Sequence, residues 1–193
     1  WLEDVAALES EAAQSEGAER AGHLAEAAEV LLSFGPRDEA AYEKSEQLAQ
    51  QSIDADSDLL DAWELLQRNY EEREEWEALA RLLADKCARV SDKAAKVSAA
   101  HRAAQIARHK VDDDEAAVQA YSALLDLQPD NGLAFRFLSE HFSENEDWHH
   151  LIGLYEDQLK GGALAPESEF GLLVQLAMLN WKTLSKPDAA EPY

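Results

Sequence analysis

Apolar residues along this chain recur every three or four positions almost without interruption, and no segment alternates with a period of two. That pattern predicts helices throughout and no sheet. The periodic segments read as helices at about 1–15, 18–34, 38–54, 57–73, 75–90, 93–110, 113–127, 131–144, 146–160 and 167–185, with a final one starting near 188. Their breaks have local causes. Gly35-Pro36 ends the second helix, Pro129-Asp130-Asn131 the seventh and Gly161-Gly162 the ninth, while Pro166 and Pro187 sit where a first helical turn accepts proline. Ser91 is placed to cap the helix that follows Val90. Connections of a few residues between helices of this length make neighbours antiparallel.

The same pattern is written more than once. Shifted by 72 residues, positions 62–86 lie on 134–158 without a gap. Ala62 meets Ala134, Leu66 meets Leu138, Trp76 meets Trp148, Leu79 meets Leu151 and Leu82 meets Leu154. Trp63 exchanges for Phe135 and Tyr70 for Phe142, so large apolar groups replace one another. Trp1 heads a third copy, 75 positions before Trp76, with a few extra residues in the loop at 33–37. Two helix types alternate, one carrying Trp63, Leu66 and Tyr70, the other led by a tryptophan and running Leu79, Leu82, Leu83. The unit of 72 residues therefore holds two helix pairs of about 36. A repeat of this size signals stacked units that bury their apolar faces against neighbours.

Composition agrees and adds charge. Alanine, leucine and glutamate dominate the 193 residues, and 40 acidic against 17 basic residues give a formal charge of −23. A surface this negative repels nucleic-acid phosphates and anionic headgroups and attracts basic partners, although a solvated outer face also accounts for it. The single cysteine, Cys87, permits neither an intrachain disulfide nor a cysteine-based zinc site, and is read as a small buried hydrophobe. No apolar run approaches the ~20 residues of a membrane span. The compartment stays open between cytoplasm and periplasm.

Ala117, Tyr121, Leu124 and Pro129 are similar to the second helix and closing proline of a tetratricopeptide repeat (TPR), a helix-turn-helix unit of about 34 residues. Trp63, Leu66 and Tyr70, and likewise Phe135, Leu138 and Phe142, resemble the W-x2-L-x3-Y signature of its first helix. The glycine usual after that leucine is replaced by Gln67, Gln105 or Ser139, so the repeats are degenerate. The resemblance implies a right-handed α-solenoid of antiparallel helix pairs, ten or eleven helices in all, spanning 1–193 as one repeat region. It also implies that first-type helices line a concave groove. Trp148–Glu156 is faintly similar to the HAT repeats of RNA-processing scaffolds, but the other helices lack the HAT aromatic spacing. Subtracting 72 from Ala189 and Tyr193 gives Ala117 and Tyr121, so the chain stops inside a second-type helix, and the expectation is a piece of a longer array.

Searching for chemistry yields no catalytic, cofactor-binding or metal-binding set. There is no phosphate loop, no G-x-S-x-G and no H-E-x-x-H. Adjacent His149 and His150 point about 100° apart on a helix and cannot chelate one ion together. The acids Asp112, Asp113, Asp114 and Glu115 suit a helix start, lacking the glycine and distal glutamate of a calcium loop. The positions 93–110, by contrast, hold five basic residues and no acid. In the TPR-like register, Arg102, Ile106, His109 and Lys110 project into the groove, flanked by Glu64, Arg68, Glu71 and Glu72 on one side. On the other side stand Arg136, Glu140 and Glu144, with Val174, Trp181 and Lys182 in the last helix. A basic centre of this kind suits an extended peptide or its carboxylate. The plainer alternative is that Arg102 and Lys110 pair with neighbouring acids.

These features point to a non-catalytic scaffold that binds a protein or peptide partner. Two other classes stay open: a structural segment that self-associates through uncapped ends and Trp181, and the docking arm of a larger enzyme or regulator.

Overall fold

The computed structural model describes residues 1–161 and 166–183. Among them are ten α-helices and no strand: α1 (Leu2–Ala12), α2 (Gly17–Phe34), α3 (Glu39–Ala55), α4 (Leu60–Glu72), α5 (Trp76–Arg89), α6 (Lys93–Ile106), α7 (Asp114–Leu127), α8 (Gly132–Glu144), α9 (Trp148–Lys160) and α10 (Pro166–Met178). The tail of α6 and that of α10 each relax into a π-helical turn, Ala107–Val111 and Leu179–Thr183. The expected final helix near 188, the second glycine at Gly162 and the proline at Pro187 lie outside the described residues, as do Ala189 and Tyr193 and the Lys182 side chain.

Helix starts are fixed by side chains that accept the first orphan amides. Asp38, Asp113 and Asn131 accept from Ala41, Ala116 and Ala134 at 2.9, 3.0 and 3.0 Å. The cap of α6 is Asp92, which accepts from Ala95 at 2.7 Å, and not Ser91 as its position suggested. Ser91 instead donates its N–H and hydroxyl to Asp58 at 2.6 and 2.8 Å. Those two bonds hold the Asp58 carboxyl below its ordinary value.

The 72-residue period is present in the backbone. α4 and α8 share both boundaries after the shift, α5 and α9 share their first residue, and both π turns superpose in number. The turn between the two helix types repeats atom by atom. Glu75 N–H donates to the Tyr70 carbonyl at 2.9 Å and Asp147 N–H to Phe142 at 2.8 Å, while Glu74 and Glu146 donate to Glu71 and Ser143 at 3.2 Å. These are the two hydrogen bonds of a Schellman ending, which requires a left-handed residue between them. Glu74 (φ 57°) and Glu146 (φ 55°) occupy that position although neither is glycine.

The chain divides into two compact units, residues 1–120 and 121–193, the division falling within α7. In the first unit, consecutive helices α1 to α6 pack on one another and α2 also touches α4. Leu24, Leu48, Ile53, Trp63, Leu66, Leu79, Leu83 and Ile106 join in one core. Ser45 and Ser52 of α3 donate to the Ala28 and Ala21 carbonyls of α2 at 3.2 and 2.7 Å, which close approach of small residues permits. The Trp63 indole N–H is satisfied by the Ser57 carbonyl at 2.8 Å. Arg73, at the end of α4, reaches Glu39 and Glu46 of α3 and Glu75, each at 2.8 Å. Arg89 binds Asp54 at 3.1 Å and lies 5.7 Å from the Trp63 ring centre. In the second unit, Tyr121, Leu124, Ala134, Leu138, Leu151 and Leu176 are buried, with the Tyr121 and Phe137 rings 4.3 Å apart.

A left-handed backbone strains any residue with a Cβ and suits glycine. Glu74→Gly and Glu146→Gly are each expected to stabilise the fold by roughly 0.5 kcal/mol, the relief of strain exceeding the added freedom of the unfolded chain. Denaturant titration of each variant checks this, and a lowered midpoint for both contradicts the Schellman assignment.

Candidate functional site

The alternation of helix types puts α2, α4 and α6 along one groove of about 770 Å³ within the first unit. Periodicity explains which side chains reach it. In α4 the buried stripe is Ala62, Trp63, Leu65 and Leu66, so Asp61, Glu64, Arg68 and Glu71 are left on the opposite face. In α6 the alanines Ala99, Ala100, Ala103 and Ala104 turn inward and leave Ser98 and Arg102 in the groove. α2 contributes Glu26 and Glu29 beside Gly22 and Ala25, whose small size keeps that wall low. Lys86 reaches the groove from α5.

The two arginines are internally matched. Arg68 donates to Glu29 at 2.7 Å. Arg102 pairs with Glu71 and donates to Gln67 Oε1 at 3.3 Å. Burial pushes the Glu29 carboxyl up, but hydrogen bonds from Ser33 and Arg68 and the arginine's charge bring it below its ordinary value. Counting Glu26, Glu29, Asp61, Glu64 and Glu71 against Arg68, Lys86 and Arg102 leaves two negative charges in excess. The expected basic centre is therefore an acidic groove carrying paired arginines. Glu26, Asp61 and Glu64 form no ion pair among the described residues.

Lys86 is unlike the arginines. It is only 8% exposed, and it makes no hydrogen bond or ion pair among the described residues. Burial pushes its amine below the ordinary lysine value, and the charge of Glu64 offsets this only in part. No buried nitrogen or oxygen is left without a partner among the described side chains, so the amine of Lys86 retains contact with the groove.

Of the eight residues proposed from the sequence, Arg68 and Arg102 line this groove. Ile106 does not: it is buried in the core of the first unit. Lys110 lies over the Trp76 ring, 4.6 Å from its centre, and His109 is exposed. For His109 and Lys110 the physical reason is the π turn at 107–111, whose wider winding rotates successive residues off the α-helical stripe, whereas Ile106 is drawn into the core within α6 itself. Glu72 bonds Arg37 and the Tyr42 hydroxyl and is no groove residue. Arg136, Glu140 and Trp181 belong to the second unit, where all three are exposed. Lys86, Glu26 and Glu29 were missed. A position on a second-type helix, or on the helix before the recognisable repeats, gave no reason to place them there.

In the second unit, a cavity of about 640 Å³ borders Phe142, His149 and His150. His150 lies 2.6 Å from Asp147, holding that carboxyl below its ordinary value, and stacks on Phe142 with ring centres 5.4 Å apart. His150 thus serves the helix start and packs on Phe142, and His149 is exposed. Among the described residues no group of three or more His, Cys, Asp or Glu is placed to hold a metal, and no helix is long and apolar enough to cross a membrane. Cys87 is half-buried against the core, and burial pushes its thiol up.

No family model matches the chain, and no curated protein matches it.

Partial desolvation of the Lys86 charge, which Glu64 offsets only in part, costs stability. Lys86→Met keeps the apolar stem and is expected to stabilise by about 1 kcal/mol at neutral pH, a rise in Tm of ~2–4 °C. Because the folded-state pKa of Lys86 is lowered, the unfolded chain binds more protons between that value and 10.5, and stability rises with pH there. The difference between variant and parent should therefore shrink over that window in calorimetric melts. A gap that stays constant with pH contradicts the assignment.

Proposed function

We propose that the chain is a stretch of TPR-like right-handed α-solenoid, built of antiparallel helix pairs, and that it acts as a non-catalytic scaffold for a protein or peptide partner. The groove between α2, α4 and α6 is the observation that carries this reading, because three consecutive first-type helices present their polar faces to one channel. The repeated boundaries and turns at 72 residues support the stacked architecture. Short connections of three or four residues from α1 to α6 support antiparallel pairing.

Groove variants test it. Ligands selected from a displayed random-peptide library on the full chain are expected to change affinity when Arg102→Glu reverses a groove charge, acidic ligands binding more weakly and basic ones more tightly. Because exposed pairs are worth only about 0–1 kcal/mol, the melting temperature should barely move. Ligands that bind Arg102→Glu unchanged place the binding surface elsewhere, and equal loss of binding and folding removes the argument.

A second reading rests on a separate observation. Phe170, Val174, Met178 and Trp181 recur along α10 and its π turn and are 69, 40, 47 and 62% exposed. A row of this kind suits self-association. Sedimentation over a concentration series should show a monomer–dimer equilibrium that Phe170→Ser with Trp181→Ser abolishes. A monomer at all concentrations rejects this reading and leaves the scaffold untouched.

A further inference from the structure

Resting on the scaffold reading, we propose that the groove of the first unit takes an extended lysine- or arginine-bearing segment of a partner protein, with the Lys86 amine donating to a main-chain carbonyl of that segment. Charge complementarity sets the class of ligand. The ion pairs Arg68–Glu29 and Arg102–Glu71 neutralise one another inside the groove and leave Glu26, Asp61 and Glu64 to face a ligand. An acidic peptide, or a free C-terminal carboxylate, meets net repulsion there, whereas cationic side chains find three unpaired carboxylates.

Lys86 is the independent observation. Lys86 is 8% exposed, yet its amine opens on the groove and bonds no group among the described residues, so a segment that excludes water there must offer that amine an acceptor. Its neighbours are acids that would already pair with it if neutralisation were its task, yet Glu64 lies beyond ion-pair distance. An extended peptide offers what is needed: a neutral carbonyl at every residue, and side chains alternating to either side. A carbonyl over Lys86 then sets the depth of the backbone, and the flanking cations fall beside Glu26 on α2 and Asp61 and Glu64 on α4. The low wall at Gly22 and Ala25 gives the backbone room to lie close.

The test uses the full chain and fluorescein-labelled, end-capped peptides of alternating lysine and alanine, glutamate and alanine, or serine and alanine. Anisotropy should show binding of the lysine peptide and none of the others. The triple variant Glu26→Gln, Asp61→Asn, Glu64→Gln should weaken it about tenfold or more. A control with equal charge change at exposed positions, Glu3→Gln, Glu43→Gln and Glu77→Gln, should stay within about twofold. In side-chain NMR the Lys86 signal, assigned by its loss in Lys86→Met, should shift on saturation with the lysine peptide while those of Lys44 and Lys160 stay fixed. Equal weakening by both triple variants means attraction by net charge alone and overturns the proposal. So does a stationary Lys86 signal, or tighter binding of the glutamate peptide. If library-selected ligands use the groove but the lysine peptide does not bind, this inference falls and the scaffold reading stands. If neither binds, both fall.

Discussion

A helix of thirteen or fourteen residues is marginal in water, since nucleation is costly and its few internal hydrogen bonds barely repay it. The seven helices from α4 to α10 are all of that length. Each therefore depends on pressing one stripe against a neighbour, and the rest of the structure follows from that need. Stripes recur at three and four residues because the helix does. Connections are short, so the helix next in sequence is the one that receives the stripe. Ala62 and Ala134, Leu66 and Leu138, and Leu79 and Leu151 are all buried because each sits at the same point of contact in its copy.

The polar faces are what this packing leaves over. With a net charge of −23, an unmatched surface would repel itself, and the arginines are placed where several acids converge. Arg73 gathers three glutamates at the junction of α3 and α4, and burial of its side chain makes it more than a surface pair. Arg89 does similar work beside Trp63, adding contact with the aromatic face. The groove repeats the pattern with Arg68 and Arg102 but has fewer cations than acids. Five acids to three bases is a smaller excess than the 40 to 17 of the whole chain, so the groove is set apart by where its unpaired carboxylates stand and not by their number.

How much of this was legible in the sequence depends on the range of the interaction involved. Helix limits came within a few residues, because caps, prolines and periodicity act locally; the exception at Ser91 arose because its hydroxyl is given to Asp58, while Asp92, one residue before the first turn, accepts from Ala95. The 72-residue period was legible because buried contact points tolerate few side chains. The groove stripe on α6 was only partly legible. Extrapolation at 100° per residue holds for Arg102 but fails at Ile106, which the core takes, and past it, where the winding changes to a π turn. Lys86 was illegible for a different reason. It stands on a helix whose apolar face supports the core, and only the spacing of α4 and α6 decides that its amine meets the groove.

A repeat frame held by buried positions also frees the remaining ones to diverge. Shifted by 72 residues, Ser98, Arg102 and His109 correspond to Phe170, Val174 and Trp181. Ser98 and Arg102 line an acidic groove and His109 stands exposed beyond it, whereas the second set is an exposed apolar row. Both sit on helices with the same end and the same π turn, so backbone geometry cannot be what distinguishes them. Side chains outside the contact stripe contribute little to folding, and a change there from charged to aromatic alters what the surface attracts without moving the helix. Likeness between the copies therefore carries the architecture, whereas any specificity must reside where the copies differ.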